Sequence, residues 1–145
     1  MKTFVIIKPD AIERKLVGEI IRRFEQKNLS IVRMETRCKN REWCVAHYHQ
    51  FNNDYTPPGI LEGLCDMMTN IPLIGIVLEG EGAANVVRRM VGDTDSVMAA
   101  PGTIRGDFGT RPIRNNLVHA ADSATVGKRE AVQFFNPATD CWLDA

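Results

Sequence analysis

An α+β fold, with helices laid on a mainly antiparallel sheet, is predicted by three features of the sequence. Short β-branched and aromatic runs recur along the chain, amphipathic helical stretches separate them, and one long aperiodic segment precedes the last short run. Residues 3–7 are apolar and β-branched and are stopped by Pro9, which predicts a buried strand that hands Lys8 to a loop. Leu16, Val17, Ile20, Ile21 and Phe24 recur at helical spacing with charges on the opposite face, and Asn28 can end that helix before a second strand at 29–34. Residues 41–51 read as helical. The Asn-Asn-Asp and Pro-Pro-Gly of 52–59 then mark a surface loop, and a helical pattern resumes over 60–68. A third strand is expected at 73–78 and a further helix at 83–91, with Gly92 fitting its C′ position. Segment 93–116 has little periodicity and carries Pro101, Gly102, Gly106, Gly109 and Pro112; a stretch of that length is more often functional than idle. Residues 117–119 form a short strand, and a helix running through Glu130 and Phe134 closes the order. That order is best matched by a ferredoxin-like βαββαβ sandwich on a four-stranded antiparallel sheet, an architecture that supports many functions and cannot choose among them.

The 145 residues are read as a single domain, 1–145, with the ordinary balance of a globular protein at 44% hydrophobic and 25% charged. Eighteen basic and eighteen acidic residues cancel, so no overall positive field favours nucleic acid or a membrane surface, and an anion site must be local. The one apolar run near the start, Phe4 to Ile7, is far short of the roughly 20 residues of a membrane span. Cys38, Cys44, Cys65 and Cys141 show no C-x-x-C pair and no metal-ligand spacing. They are expected to be free thiols, as in a reducing, cytoplasmic compartment.

The common phosphate cradles are missing: there is no G-x-x-x-x-G-K-S/T, and Gly80-x-Gly82 reads as a turn before a helix, because Asn85 stands where a third glycine would be. Arginines instead gather in and beside the long loop, at Arg88, Arg89, Arg105, Arg111 and Arg114, together with Thr94 and Thr103. Guanidinium forks suit phosphate oxygens, although the same composition fits a solvated basic surface. His47 and His49, two residues apart on a helix, do not share a face and are expected to be surface or packing residues. His119 ends an apolar run next to the arginine-rich loop, and Asp122 and Glu130 follow it. A neutral imidazole is a competent nucleophile near pH 7, a carboxylate on its far nitrogen fixes the tautomer, and phosphoryl transfer needs little beyond positioning and positive charge. His119, Glu130, Lys8, Arg88 and Arg105 can supply those parts.

Lys8-Pro9-Asp10, the run Pro101-Gly102-Thr103-Ile104-Arg105-Gly106-Asp107-Phe108, and Asn116-x-x-His119-x-x-Asp122-Ser123 together resemble the nucleoside diphosphate kinase family. Val17-Gly18-Glu19-Ile20-Ile21, His47-Tyr48 and Arg88-x-x-x-Gly92-x-Thr94 fall in family order between them, so the likeness spans nearly the whole chain. The resemblance implies an enzyme that passes the γ-phosphate of a nucleoside triphosphate to a nucleoside diphosphate by a ping-pong route through a phosphohistidine on His119. It implies that Lys8, Arg88, Thr94 and Arg105 hold the phosphates, that Asn116 bonds the sugar hydroxyls with Lys8, and that Tyr48 lies beside the transferring group. Glu130 would orient the histidine, and Asp122 would reach a nucleotide-bound Mg2+ through water. The base would be sandwiched between apolar side chains with almost no polar readout; Leu64 is the chosen wall residue, with Tyr55 and Ile60 as further candidates. A homo-oligomer is implied as well, with no specific nucleic-acid partner.

Three departures from the family pattern are visible. Segment 52–59 carries extra residues, the stretch between Asp107 and His119 is slightly longer, and Ala120-Ala121 stand where the family has Gly-Ser. An RNA-binding module on the same ferredoxin-like core is the competing reading, and the neutral charge and lack of an aromatic RNP1-type strand stand against it. The other is a catalytically silent family member kept for assembly.

Overall fold

The computed structural model describes residues 1–141; positions 142–145 of the expected 1–145 domain lie outside the described residues. Strand β1 (Lys2–Ile7) is buried from its second residue onward. Its side chains alternate between two cores: Val5 and Ile7 enter one, Phe4 and Ile6 the other. A continuous apolar run is therefore what this position in the fold demands. β1 lies between β3 (Pro72–Glu79) and β4 (Val118–Ala120), and β2 (Ser30–Cys38) pairs with the far side of β3, giving the order β2-β3-β1-β4. Every pairing is antiparallel. This is the four-stranded antiparallel sheet expected of the α+β, ferredoxin-like order.

Helices α2 (Val17–Gln26) and α5 (Ala83–Val91) cover one face, where Ile20, Phe24, Val87 and Val91 pack on Val5, Ile7, Ile76 and Leu78. Helices α3 (Arg41–His47), α4 (Ile60–Met68) and α7 (Ala124–Phe135) cover the other, with Trp43, Cys65, Met68 and Phe134 on Phe4 and Ile6. Helix α7 comes so near the sheet that a Cβ built on Gly75 would lie 2.3 Å from the Phe134 ring. Gly75→Ala is therefore expected to lower unfolding free energy by about 1–3 kcal/mol through overpacking; an unchanged urea midpoint would contradict this contact.

Two short helices escaped the sequence pattern, α1 (Pro9–Glu13) and α6 (Ile104–Phe108), each only five residues long. Five residues cannot display an amphipathic period. Their signals are local instead: Pro9 at the start of α1, and the Thr103 hydroxyl capping α6 by accepting from the Gly106 N–H at 2.9 Å. The segment expected to be structureless thus contains a helix. The helix expected over 41–51 also stops at His47 and continues as a 3-10 turn, His49–Phe51.

The expectation of four free thiols is corrected. Cys38 and Cys141 form a disulfide, and only Cys44 and Cys65, both buried, are free. The reason is topological: the Lys39–Asp140 bridge lays the chain's end against the end of β2, bringing two cysteines 103 residues apart to a Cα separation of 5.3 Å. Cysteine spacing carries no trace of that proximity. No helix among the described residues is long and apolar enough to cross a membrane.

Candidate active site

At the end of β1 the chain turns, and Lys8 caps α1 with its side chain under the long loop. Its Nζ donates to the Arg114 carbonyl at 2.5 Å and to Asn116 Oδ1 at 2.9 Å, and the Asn116 amide donates on to the Thr94 carbonyl at 2.9 Å. Asp10 holds the same corner by accepting the Leu117 N–H at 3.1 Å, while the Lys8 N–H donates to the Leu117 carbonyl at 2.9 Å. Leu117 is buried with φ 73°, a left-handed conformation that costs a side-chain-bearing residue about 1–3 kcal/mol and persists only where its surroundings impose it. Lys8-Pro9-Asp10 is thus a clamp as well as a source of charge.

Arg105 is buried on α6 and donates to three carbonyls: Nε to Asn116 at 3.2 Å, Nη1 to Gly92 at 3.0 Å and Nη2 to Val118 at 2.5 Å. Of the five guanidinium N–H groups, one on each Nη remains for a ligand among the described residues. The expected phosphate holder is therefore also the strut that ties the end of α5 to β4. Gly92 can accept this closeness because it has no Cβ: its φ is 93°, and a Cβ there would meet the Thr103 hydroxyl at 2.5 Å. Burial lowers the Arg105 pKa to about 10, helped by the Arg88 cation.

His119, in the middle of β4, pairs with Ile6 and so faces the layer of α3 and α7. Its Nε2 meets Glu130 Oε2, the carboxylate of α7, in a short hydrogen bond. A carboxylate only accepts, so the proton resides on Nε2 and Nδ1 keeps its lone pair. Burial, and then the cations of Lys8 and Arg105, depress the His119 pKa, holding the ring neutral. Burial pushes Glu130 the other way, upward. Tyr48, buried at the end of α3, has its phenol held protonated by the same desolvation.

These groups share one cleft of about 970 Å³. Lys8, Tyr48, Thr94, Arg105, Asn116 and His119 line its inner part, with Glu130 behind. Arg88 and Asp122 face each other at the rim, 2.5 Å apart, and Leu64, Ile60, Phe51 and Ile113 make an apolar mouth. Of the candidates for the apolar wall, Tyr55 is 96% exposed and does not line the cleft, whereas Ile60 and Leu64 do. Ile113 carries no sequence signal, and His47 is found in packing. The latter, expected to be at the surface or in packing, is buried with its ring against His119.

The family model described as nucleoside diphosphate kinase matches residues 1–139. The chain belongs to the nucleoside diphosphate kinase family. It is 46% identical over 138 residues to the nucleoside diphosphate kinase of Pyrococcus horikoshii, covering 94% of this chain and 85% of that one. To that of Methanocaldococcus jannaschii it is 44% identical over 135 residues, 92% of each. Among solved structures, a halophilic nucleoside diphosphate kinase from Halobacterium salinarum in complex with CDP superposes with a TM-score of 0.86 at 34% identity, over 100% of this chain and 93% of that one. The protein is a phosphotransferase that moves phosphate between nucleotides.

If Lys8 holds phosphate, as the family resemblance implies, it sets a pH limit for this kinase. Burial, against a partial counter-effect from Asp10, lowers its pKa from 10.5 to about 8. Between those values the folded chain holds fewer protons than the unfolded one, so rising pH relieves a desolvation cost and stability does not fall on this account. Phosphate attraction does fall. The expected result is a decline of kcat/KM above about pH 8 with no matching drop in Tm; a flat profile to pH 10 would contradict a role for the Lys8 charge.

Proposed function

We propose that phosphate crosses this protein on His119 Nδ1. The observation that supports the reading most directly is the His119–Glu130 hydrogen bond, which leaves Nδ1 unprotonated at the inner end of a cleft carrying Lys8, Arg88 and Arg105. The Nδ1 lone pair attacks the γ-phosphorus of a nucleoside triphosphate. The bond from that phosphorus to the bridging oxygen breaks, and its electrons leave with the nucleoside diphosphate. Lys8, Arg88, Thr94 and the spare N–H groups of Arg105 hold the phosphates, and Tyr48 stands beside the transferring group. Glu130 steadies the cationic ring, and the terminal oxygen of a second nucleoside diphosphate reverses the attack.

Mg2+ is expected to arrive with the nucleotide and spread the phosphate charge. Asp122, a single carboxylate 81% exposed and paired to Arg88, suits contact through water with a cation held mainly by phosphate oxygens. The cluster of His47, His119 and Glu130 is too nitrogen-rich for that ion. Asn116 bonds the sugar hydroxyls with Lys8, and Leu64, Ile60 and Ile113 take the base between apolar surfaces, which grants tolerance to base identity.

Residues 1–145 act as one domain, and the protein works as a homo-oligomer in the cytoplasm. Support for assembly is the edge strand β2, whose Val32 and Met34 are about half exposed. The cytoplasmic setting rests on the nucleotide substrates alone, since the Cys38–Cys141 disulfide removes the argument from free thiols. Steady-state kinetics with a triphosphate donor and a diphosphate acceptor are expected to give parallel double-reciprocal lines; intersecting lines would mean direct transfer in a ternary complex.

A further inference from the structure

Of the buried groups around the cleft, His47 is the one the mechanism above leaves unused. It ends α3, its side chain is 1% exposed, and neither ring nitrogen has a hydrogen-bond partner among the described residues. Leaving a buried imidazole unpaired is costly, and an unpaired polar group beside reacting atoms requires a reason. Packing fixes the ring closely. It stacks on Trp43 one helical turn earlier, at 5.0 Å and 19°, and stands edge-on to Tyr48 at 4.6 Å and to His119 at 4.5 Å.

Held this way, Nδ1 lies 3.5 Å from Glu130 Oε2, the same oxygen that accepts from His119 Nε2. That distance is a few tenths of an ångström beyond a hydrogen bond. Burial keeps the His47 ring neutral by lowering its pKa to about 3, so it carries one N–H to give. Glu130 needs such a donor. Its burial disfavours the charged carboxylate, yet the carboxylate must stay ionised when attack makes the His119 ring cationic.

We propose that His47 is a positioning residue for Glu130: its Nδ1–H closes onto Oε2 as charge builds on His119, so the carboxylate is held between two imidazoles. No proton is transferred; His47 keeps its hydrogen and lends only the hydrogen bond. This rests on the phosphohistidine reading, and the test separates the two.

His47→Phe keeps the ring and its stacking on Trp43 but removes both nitrogens. His47→Asn returns a side-chain N–H close to the Nδ1 position. In single-turnover phosphorylation of His119 by ATP and Mg2+, His47→Phe is expected to be slower by about tenfold, as for loss of one charged hydrogen bond, with nucleotide Kd unchanged. His47→Asn should recover to within about threefold of the wild-type rate. Wild-type speed in His47→Phe, or a loss shared equally by His47→Asn and accompanied by weaker nucleotide binding, would overturn the proposal. Should His47→Phe not fold, 15N-imidazole spectra of the phosphorylated wild type decide: a protonated His47 Nδ1 is expected, and an unprotonated one overturns it. A wild type that takes up no phosphate removes the phosphohistidine reading and this proposal together, whereas a phosphorylated wild type beside a fast His47→Phe overturns this proposal alone.

Discussion

His119→Ala is expected to lose nucleotide-to-nucleotide transfer by a factor on the order of 10^4 or more while keeping its fold. The covalent relay disappears with the imidazole, and among the described residues the His119 ring is the one in the cleft whose far nitrogen is hydrogen-bonded to a carboxylate. The fold should persist because the β4 pairing to β1 is made by backbone groups, and the His119 side chain is 23% exposed rather than part of either apolar core. One cost remains: Glu130 loses its hydrogen-bond donor in a buried position, so a modest fall in Tm should accompany the variant. Substantial residual transfer, with far-ultraviolet circular dichroism unchanged, would rule out His119 as the carrier.

Arg105→Ala is expected to have the second largest effect, and to act twice. Removing a charged donor from a transferring phosphoryl group in a desolvated site lowers kcat/KM by roughly two powers of ten or more. The same change takes the donors from the carbonyls of Gly92, Asn116 and Val118, and unsatisfied buried acceptors cost about 1–3 kcal/mol each where water cannot reach them. Both activity and denaturation midpoint should therefore drop. Arg111, which pairs with Asp95 at the cleft's outer side, and the exposed Arg89 are expected to tolerate alanine with losses under about tenfold. Equal losses at Arg89, Arg105 and Arg111 would mean a diffuse basic surface rather than a built site.

Much of this was legible in the sequence, for identifiable reasons. The long elements announce themselves because each has a strong apolar period or a clear stop: α4 and α5 fall on the expected bounds, 60–68 and 83–91, and β1 differs by one residue at its start. The candidate site residues are those the family resemblance implies, and the fold brings Lys8, Arg88, Arg105, Asn116 and His119 from four separate segments to one cleft. What the sequence withheld depends on contacts between distant parts of the chain. The disulfide needs the end of the chain beside β2. The double duty of Arg105 needs β4 and the end of α5 together. His47 gives no sequence signal of its nearness to Glu130, because the two lie far apart in the chain and only the packing of α3 on α7 brings its Nδ1 within 3.5 Å of the carboxylate. Ile113 gave no signal in an aperiodic loop, and only the folded chain places it with Ile60 and Leu64 on the lining of one cleft.

The central claim, a phosphate carried on His119, is tested most directly by incubating the protein with γ-labelled ATP and Mg2+ without an acceptor, then measuring bound phosphate. About one acid-labile, base-stable phosphate per chain is expected, located on the peptide containing His119 and discharged at once by an added nucleoside diphosphate. No bound phosphate, or label that survives acid on a serine or threonine, would contradict it.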